Sequence, residues 1–206
     1  MRLRMTAIDF YFDFASPYGF IAAMEIEAVG RPVQWRPFLL GSVYKAVGQS
    51  PLEHPLKRNY VIEVDAPRMA RRIGLQLKVP AGFPEHCLPA SRAFYRIDQH
   101  DPVKAVAFAK AAYRKYWLHG CATSDAAVAV DAAASLGYDP KAVLEGMQRS
   151  KTKERLIFEN EQAIQRGVFG SPFFFADGER FWGSDRISLM LSEPMAEAAN
   201  PGRPVT

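Results

Sequence analysis

The stretch Ile8-Asp9-Phe10-Tyr11-Phe12-Asp13-Phe14-Ala15-Ser16-Pro17-Tyr18-Gly19 decides how the rest of the chain is read. Aromatic and β-branched residues crowd its first half, which reads as a strand. The pattern breaks at Ser16-Pro17 and continues as an apolar-periodic helix through Ile21, Ala22, Met24, Ile26 and Val29. A serine followed by proline is a helix start: the hydroxyl caps free amides, and proline suits the first turn. A strand feeding a helix N-terminus aims several N–H groups and a partial positive charge at one point. A hydroxyl at that point is set to donate to an anion, and a thiolate is the anion expected.

The remaining composition narrows the function classes without choosing among them. The 206 residues suffice for one good core, with room for a second lobe. Apolar residues make up 49% and charged residues 23%, an ordinary soluble composition. No run approaches the roughly 18 apolar residues of a membrane span. Met1 to Met5 reach the first strand too soon for a signal peptide, so a cytoplasmic protein is expected. Cys87 and Cys121 fit a reducing compartment and form neither a CxxC pair nor a zinc pattern. The four histidines have no metal-ligand spacing, and no metal is expected. The net charge of +4 is spread among acids, without any nucleic-acid-binding motif, and suits a small anionic ligand equally well.

Beyond the first helix, Pro32 to Phe38 reads as a short, proline-flanked strand, so the first three elements form a βαβ unit with parallel strands. Signals are mixed from Leu39 to Pro89, apart from a helix expected over Pro67 to Gly74 and a proline-punctuated loop from Lys78. Ala90 to Arg166 reads as helical. Helix starts are expected at Ser124 or Asp125, at Asp139-Pro140 and near Thr152, with stops at Gly137 and Gly167. Strand character returns at Pro172 to Ala176. Asp177-Gly178 then signals a hairpin to Arg180-Phe181-Trp182, and a last helix runs from Ser184 or Asp185 to Leu191.

A βαβ half and a ββα half separated by about a hundred helical residues imply an α/β, thioredoxin-like fold with a large all-helical insertion. The division expected is 1–45 with 160–192 for the thioredoxin-like part and 46–159 for the insertion, with 193–206 as a flexible tail. A cleft between the two parts is the expected site.

Four patches carry a family resemblance. Phe10 to Tyr18 resembles the start of the 2-hydroxychromene-2-carboxylate isomerases, which group with kappa-class glutathione transferases and DsbA-like proteins. Arg36-Pro37-Phe38-Leu39-Leu40-Gly41 with Lys45-Ala46-Val47-Gly48 resembles their second strand and the loop after it. Gly167 to Phe174 resembles the turn before their third strand, and Phe181 to Arg186 their closing hairpin and helix start. The set is ordered over nearly the whole chain, ending near Leu191.

The resemblance implies that Ser16 stands where disulfide oxidases carry their reactive cysteine and that it binds the sulfur of glutathione as the catalytic residue. A serine cannot ionise there; it donates to a thiolate brought in by the cofactor. It also implies a cis Pro172, with Ser171 offering a backbone edge to the tripeptide, and glutathione contacts from Trp182, Gly183, Ser184 and Asp185. Lys45, Phe83 and His86 are the substrate-side candidates. Two places depart from the family pattern: the Ser50-to-Pro55 loop lacks a polar Asn-Arg pair, and His86-Cys87-Leu88 replaces Asn-Thr-Leu. The activity implied is glutathione-dependent isomerisation of 2-hydroxychromene-2-carboxylate to trans-o-hydroxybenzylidenepyruvate, in aromatic (naphthalene-type) catabolism, by a homodimer that uses neither nucleic acid nor membrane. A kappa-like glutathione transferase is one alternative, and a non-catalytic or chaperone-like DsbA relative is another. Disulfide exchange is least expected, because it needs a cysteine where Ser16 sits.

Overall fold

The computed structural model describes residues 6–192 apart from 49–51 and 53. The expected tail 193–206, and the part of the Ser50-to-Pro55 loop at 50, 51 and 53, lie outside the described residues. Strand β1 (Ile8–Phe12) is followed by helix α1 (Pro17–Glu25), a 3₁₀ turn (Ile26–Val29) and β2 (Val33–Pro37). At the other end β3 (Phe173–Ala176) and β4 (Glu179–Trp182) lead through a 3₁₀ turn (Ser184–Arg186) into α10 (Ile187–Ser192). The four strands lie in the order β2-β1-β3-β4. β1 runs parallel to β2 and antiparallel to β3, and β3 is antiparallel to β4. This is the thioredoxin-like arrangement expected from the pattern. The hairpin turn puts Asp177 at φ 52° and Gly178 at φ 88°, the left-handed pair a two-residue turn requires. Asp177 also receives both outer nitrogens of Arg31, at 2.8 and 2.9 Å, tying the hairpin tip to the approach to β2.

Alternation along β1 sorts its residues into two layers. Ile8, Phe10 and Phe12 enter one apolar cluster with Phe20 of α1, while Tyr11 joins a smaller one with Phe38, Val43 and Ala163. Phe10 packs its ring against Phe12 at 4.9 Å, Trp35 at 5.0 Å and Phe174 at 5.2 Å. The larger cluster continues into the helices between the two halves of the sheet: α5 (Leu88–Asp98), α6 (Pro102–His119), α7 (Ala126–Ala134) and α8 (Pro140–Gln148). Its members there include Phe94, Tyr113 and Trp117, so sheet and helices share one core.

The caps on Asp125 and Asp139 stand as the sequence implies, each accepting from an amide of the first turn. Elsewhere the boundaries move. β1 ends at Phe12, two residues before the aromatic run does. The mixed region holds α2 (Leu40–Val47) and a helical run α3 (Pro55–Asn59), a π stretch (Tyr60–Asp65) and α4 (Ala66–Arg72). Pro67 is thus inside a helix that begins a dozen residues earlier. The wider π turns immediately before it leave room for a ring that would crowd an α-helical carbonyl. Helix α9 (Ser150–Gln165) starts ahead of Thr152 and runs through the division drawn at 159/160.

On the face of the sheet toward α9, charges are matched rather than excluded. Asp9 accepts from Arg36 Nε at 2.7 Å and Arg166 Nη1 at 2.8 Å. The fully buried Glu159 carboxylate lies 3.3 Å from Arg36 and 2.8 Å from Arg155. Pairing with two guanidinium groups offsets the cost of burying this carboxylate.

Candidate active site

Ser16 sits in extended conformation, φ −92° and ψ 119°, one residue before Pro17 opens α1. Its Oγ accepts from Gly19 N at 3.0 Å, and its O–H donates to the carbonyl of Ser171 at 2.9 Å. The Ser171-Pro172 bond is cis. The start of α1 and the turn before β3, 155 residues apart, therefore meet through one buried hydroxyl. Asp13 N donates to Ser171 Oγ at 2.9 Å, and Tyr113 Oη donates to the Asp13 carbonyl at 2.9 Å. These bonds hold the two loops together from beneath.

Gly19 makes room for this arrangement. A Cβ there would lie 2.6 Å from Tyr113 Oη and 2.9 Å from Ser171 Oγ. The glycine is required by close approach, not by its backbone angles.

The antiparallel register carries the site one strand further. Phe173 lies opposite Trp182, and Gly183 N donates to the Pro172 carbonyl at 3.2 Å. Ser171, Pro172, Trp182, Gly183 and Ser184 are thereby contiguous. Ser184 is buried, whereas Trp182 is 56% exposed with its ring 5.0 Å from that of Phe169. Gly183 adopts φ 112°, and the Asp185 carboxylate folds over its α-carbon. That carboxylate is half exposed and pairs with Arg186 at 3.0 Å. A cleft of about 490 Å³ opens beside Ser184 and Asp185, walled by α1, α4 and α10.

The substrate-side candidates are more scattered. Lys45 is exposed in the last turn of α2, and His86 is exposed with its carbonyl accepting from Thr123. Phe83 is buried, edge-on to Trp117 at 5.6 Å, and belongs to the core. A second cis bond, Phe83-Pro84, follows it. Among the described residues no group of three or more His, Cys, Asp or Glu side chains is arranged to hold a metal ion.

Several residues at the centre were not singled out from sequence. The Asp13 side chain accepts from Ala15 N at 2.7 Å, Leu40 N at 2.6 Å and Cys87 Sγ at 3.1 Å, gathering three segments around the base of the site. Burial pushes its carboxyl above the usual range, and the amide donors oppose this only in part. Burial, then the Asp13 charge, pushes the Cys87 thiol well up, so this cysteine is held as an inert thiol. Tyr18, the second residue of α1, donates to Asp65 at 2.7 Å; burial, then that bond, raises its phenol. Tyr44 of α2 is half-buried, and burial, then the nearby Asp13, pushes its phenol up to about 12. The signal available for Asp13 was a carboxylate set in an aromatic run; Tyr44 had none, because α2 itself was not read.

Known proteins match this architecture along its length. The model of the DSBA-like thioredoxin domain matches residues 7–193. A 2-hydroxychromene-2-carboxylate isomerase of Sphingobium xenophagum is 30% identical over 194 residues, covering 90% of this chain and 96% of the relative. Glutathione S-transferase kappa 1 of Caenorhabditis elegans is 24% identical, covering 93% of each chain. A solved structure of a 2-hydroxychromene-2-carboxylate isomerase superposes with a TM-score of 0.83 at 27% identity, covering 91% of this chain and 93% of that one. The chain therefore belongs to the DSBA-like thioredoxin-domain family and, within it, to the isomerase family of the 2-hydroxychromene-2-carboxylate isomerases.

Proposed function

We propose that the protein is a glutathione-dependent isomerase interconverting 2-hydroxychromene-2-carboxylate, or a close analogue, with its trans-o-hydroxybenzylidenepyruvate form. The observation that carries this reading is a serine hydroxyl, not a thiol, at the start of α1 against the carbonyl before a cis-proline. The donor set fits the tripeptide. Ser16 faces the position of its sulfur, and Ser171 with Pro172 offers an extended-chain edge. Ser184 and the half-exposed Asp185 carboxylate suit its terminal ammonium, with Trp182 and Gly183 forming the wall between.

Glutathione, when bound, supplies a thiolate whose addition turns a double bond that cannot rotate into a single bond that can, and whose departure regenerates it. The chain's part is to hold that charge. Ser16 rotates its O–H from the Ser171 carbonyl toward the sulfur, and the N–H groups opening α1 add their partial positive charge. Together they lower the thiol's affinity for its proton. Asp13 and Tyr113 keep the two loops at their spacing while this happens. In the same reading the protein works in the cytoplasm as a homodimer on a small aromatic acid.

Assay of the chromene and of a chlorodinitrobenzene-type electrophile, with free thiol titrated throughout, tests the reading. Turnover of the chromene at constant thiol is the expected result. Stoichiometric loss of thiol would instead establish a conjugating transferase, the second reading, which the likeness to the kappa-class enzyme favours. Absence of glutathione binding by calorimetry would point to a non-catalytic relative.

A further inference from the structure

The second strand leads into α2, whose first amide, Leu40 N, is bound to Asp13 Oδ2 at 2.6 Å. Asp13 lies three residues before Ser16, and its carbonyl accepts from Ser16 N at 2.9 Å. The start of α2 is therefore fixed against the loop that carries the serine. Four residues on from Leu40, one turn along the same helix face, stands Tyr44. Helical side chains lean back toward the N-terminus of their helix, which directs the Tyr44 ring toward the Asp13 and Ser16 end of α2. The ring is half-buried yet belongs to neither apolar cluster, although Val43 beside it is fully buried in one of them. Among the described residues its hydroxyl makes no hydrogen bond. Lys45, the next residue, is exposed in the last turn and lies about a hundred degrees further round the helix.

We propose that Tyr44, rather than Lys45, is the group of α2 that faces the substrate, its O–H donating a hydrogen bond to the substrate oxygen that gains negative charge when the thiolate adds. This rests on the isomerase reading above. The step balances on the ring-opened substrate. The hemiketal ring C–O bond breaks to leave a ketone, its hydroxyl proton passing through solvent to the phenolate. A C–S bond then forms, the displaced π pair moves onto the ketone oxygen, and the pair returns when the C–S bond breaks. Tyr44 transfers no proton. It supplies a fixed dipole to the charge as it develops, the kind of stabilisation that favours the transition state over the ground state. An ordinary phenol is protonated through the neutral range, and burial with the Asp13 charge moves Tyr44 further in that direction, so it is available as a donor. A lysine at the open end of the helix would instead meet the substrate through water, where an ionic contact contributes little.

Two variants, Tyr44→Phe and Lys45→Met, decide the matter through two readouts. The first is turnover with glutathione. The second is the affinity of the glutathione-loaded protein for an unreactive o-hydroxycinnamate, followed by fluorescence. Tyr44→Phe is expected to lower kcat by about a hundredfold to a thousandfold, as loss of one oxyanion donor does, with glutathione affinity and unfolding midpoint held. It should also weaken the o-hydroxycinnamate complex more than Lys45→Met does. A Tyr44→Phe enzyme within twofold of the parent in both readouts overturns the proposal, as does a larger loss in Lys45→Met. If the parent does not turn over the chromene while Tyr44→Phe still weakens o-hydroxycinnamate binding, the isomerase reading fails and the assignment of Tyr44 to the substrate side stands.

Discussion

Replacing Gly19 by alanine sets two effects of opposite sign against each other. Gly19 is inside α1, where alanine is favoured by about 1 kcal/mol through helix propensity alone. A surface helix would be stabilised by that amount. Here the new methyl would meet Tyr113 Oη at 2.6 Å, Ser171 Oγ at 2.9 Å and the Asp13 carbonyl at 3.2 Å. Neither hydroxyl is free to retreat, because Tyr113 donates to the Asp13 carbonyl and Ser171 Oγ accepts from Asp13 N. Overpacking of a tight core costs about 1–3 kcal/mol, and a hydrogen bond broken in the process adds about 1 kcal/mol. The balance is a loss of about 2 kcal/mol, with the Ser171 loop pushed away from Ser16 and glutathione affinity reduced. Urea unfolding followed by tryptophan fluorescence measures the first effect and calorimetry the second. Tyr113→Phe removes the nearest obstacle, so the double variant should recover part of the loss, with a coupling of about 1 kcal/mol, as expected for residues in contact. A Gly19→Ala protein as stable as the parent, or more so, would refute the packing argument.

Three further outcomes follow from the same geometry. Ser16→Ala removes both the cap on Gly19 and the bond to Ser171; it should cost about 1 kcal/mol in unfolding free energy and raise the pH at which bound glutathione shows thiolate absorbance, and an unchanged titration would remove Ser16 from the chemistry. Asp13→Asn tests the buried carboxyl through pH. Burial raises the folded value, so the parent's stability from this group is full below the unfolded carboxyl value and falls as pH rises through the folded one. The stability of the variant relative to the parent should therefore rise with pH, and denaturant midpoints that diverge the other way would reverse the sign. Glu159→Leu leaves Arg36 with Asp9 still beside it and Arg155 with access to solvent, so the loss should fall at the low end for a broken buried pair, about 3 kcal/mol; a neutral result in urea would mean the pair contributes nothing net.

Where the chain announces its own structure, it does so through local chemistry. Ser16-Pro17, Asp139-Pro140 and Asp177-Gly178 each carry their cap or turn in two adjacent residues, and each element forms where those residues stand. The cis bond at Pro172 came from the family pattern rather than from the residues themselves. What was not legible depends on distant partners. Helices α2 and α3 open on Leu39 and His54, which give no side-chain cap, so nothing local marks their starts. Asp13 reads as an interruption in an apolar run until Leu40 and Cys87 arrive from 27 and 74 residues away to bond its carboxylate. The burial of Phe83, a substrate-side candidate, against Trp117 likewise depends on a partner 34 residues away. Tyr44 could be found only once α2 had been placed.

The bond from Ser16 to the Ser171 carbonyl sets a threshold for whatever enters. The hydroxyl proton of Ser16 already has a neutral acceptor in that carbonyl. An incoming group gains that proton only by outcompeting an amide carbonyl. A neutral thiol or alcohol is a poorer or equal acceptor and gains nothing from the exchange. A thiolate makes a charge-assisted bond roughly twice as strong and wins it. Under the proposed function, discrimination between the protonated and ionised forms of glutathione would rest on this one contact between Ser16 and Ser171.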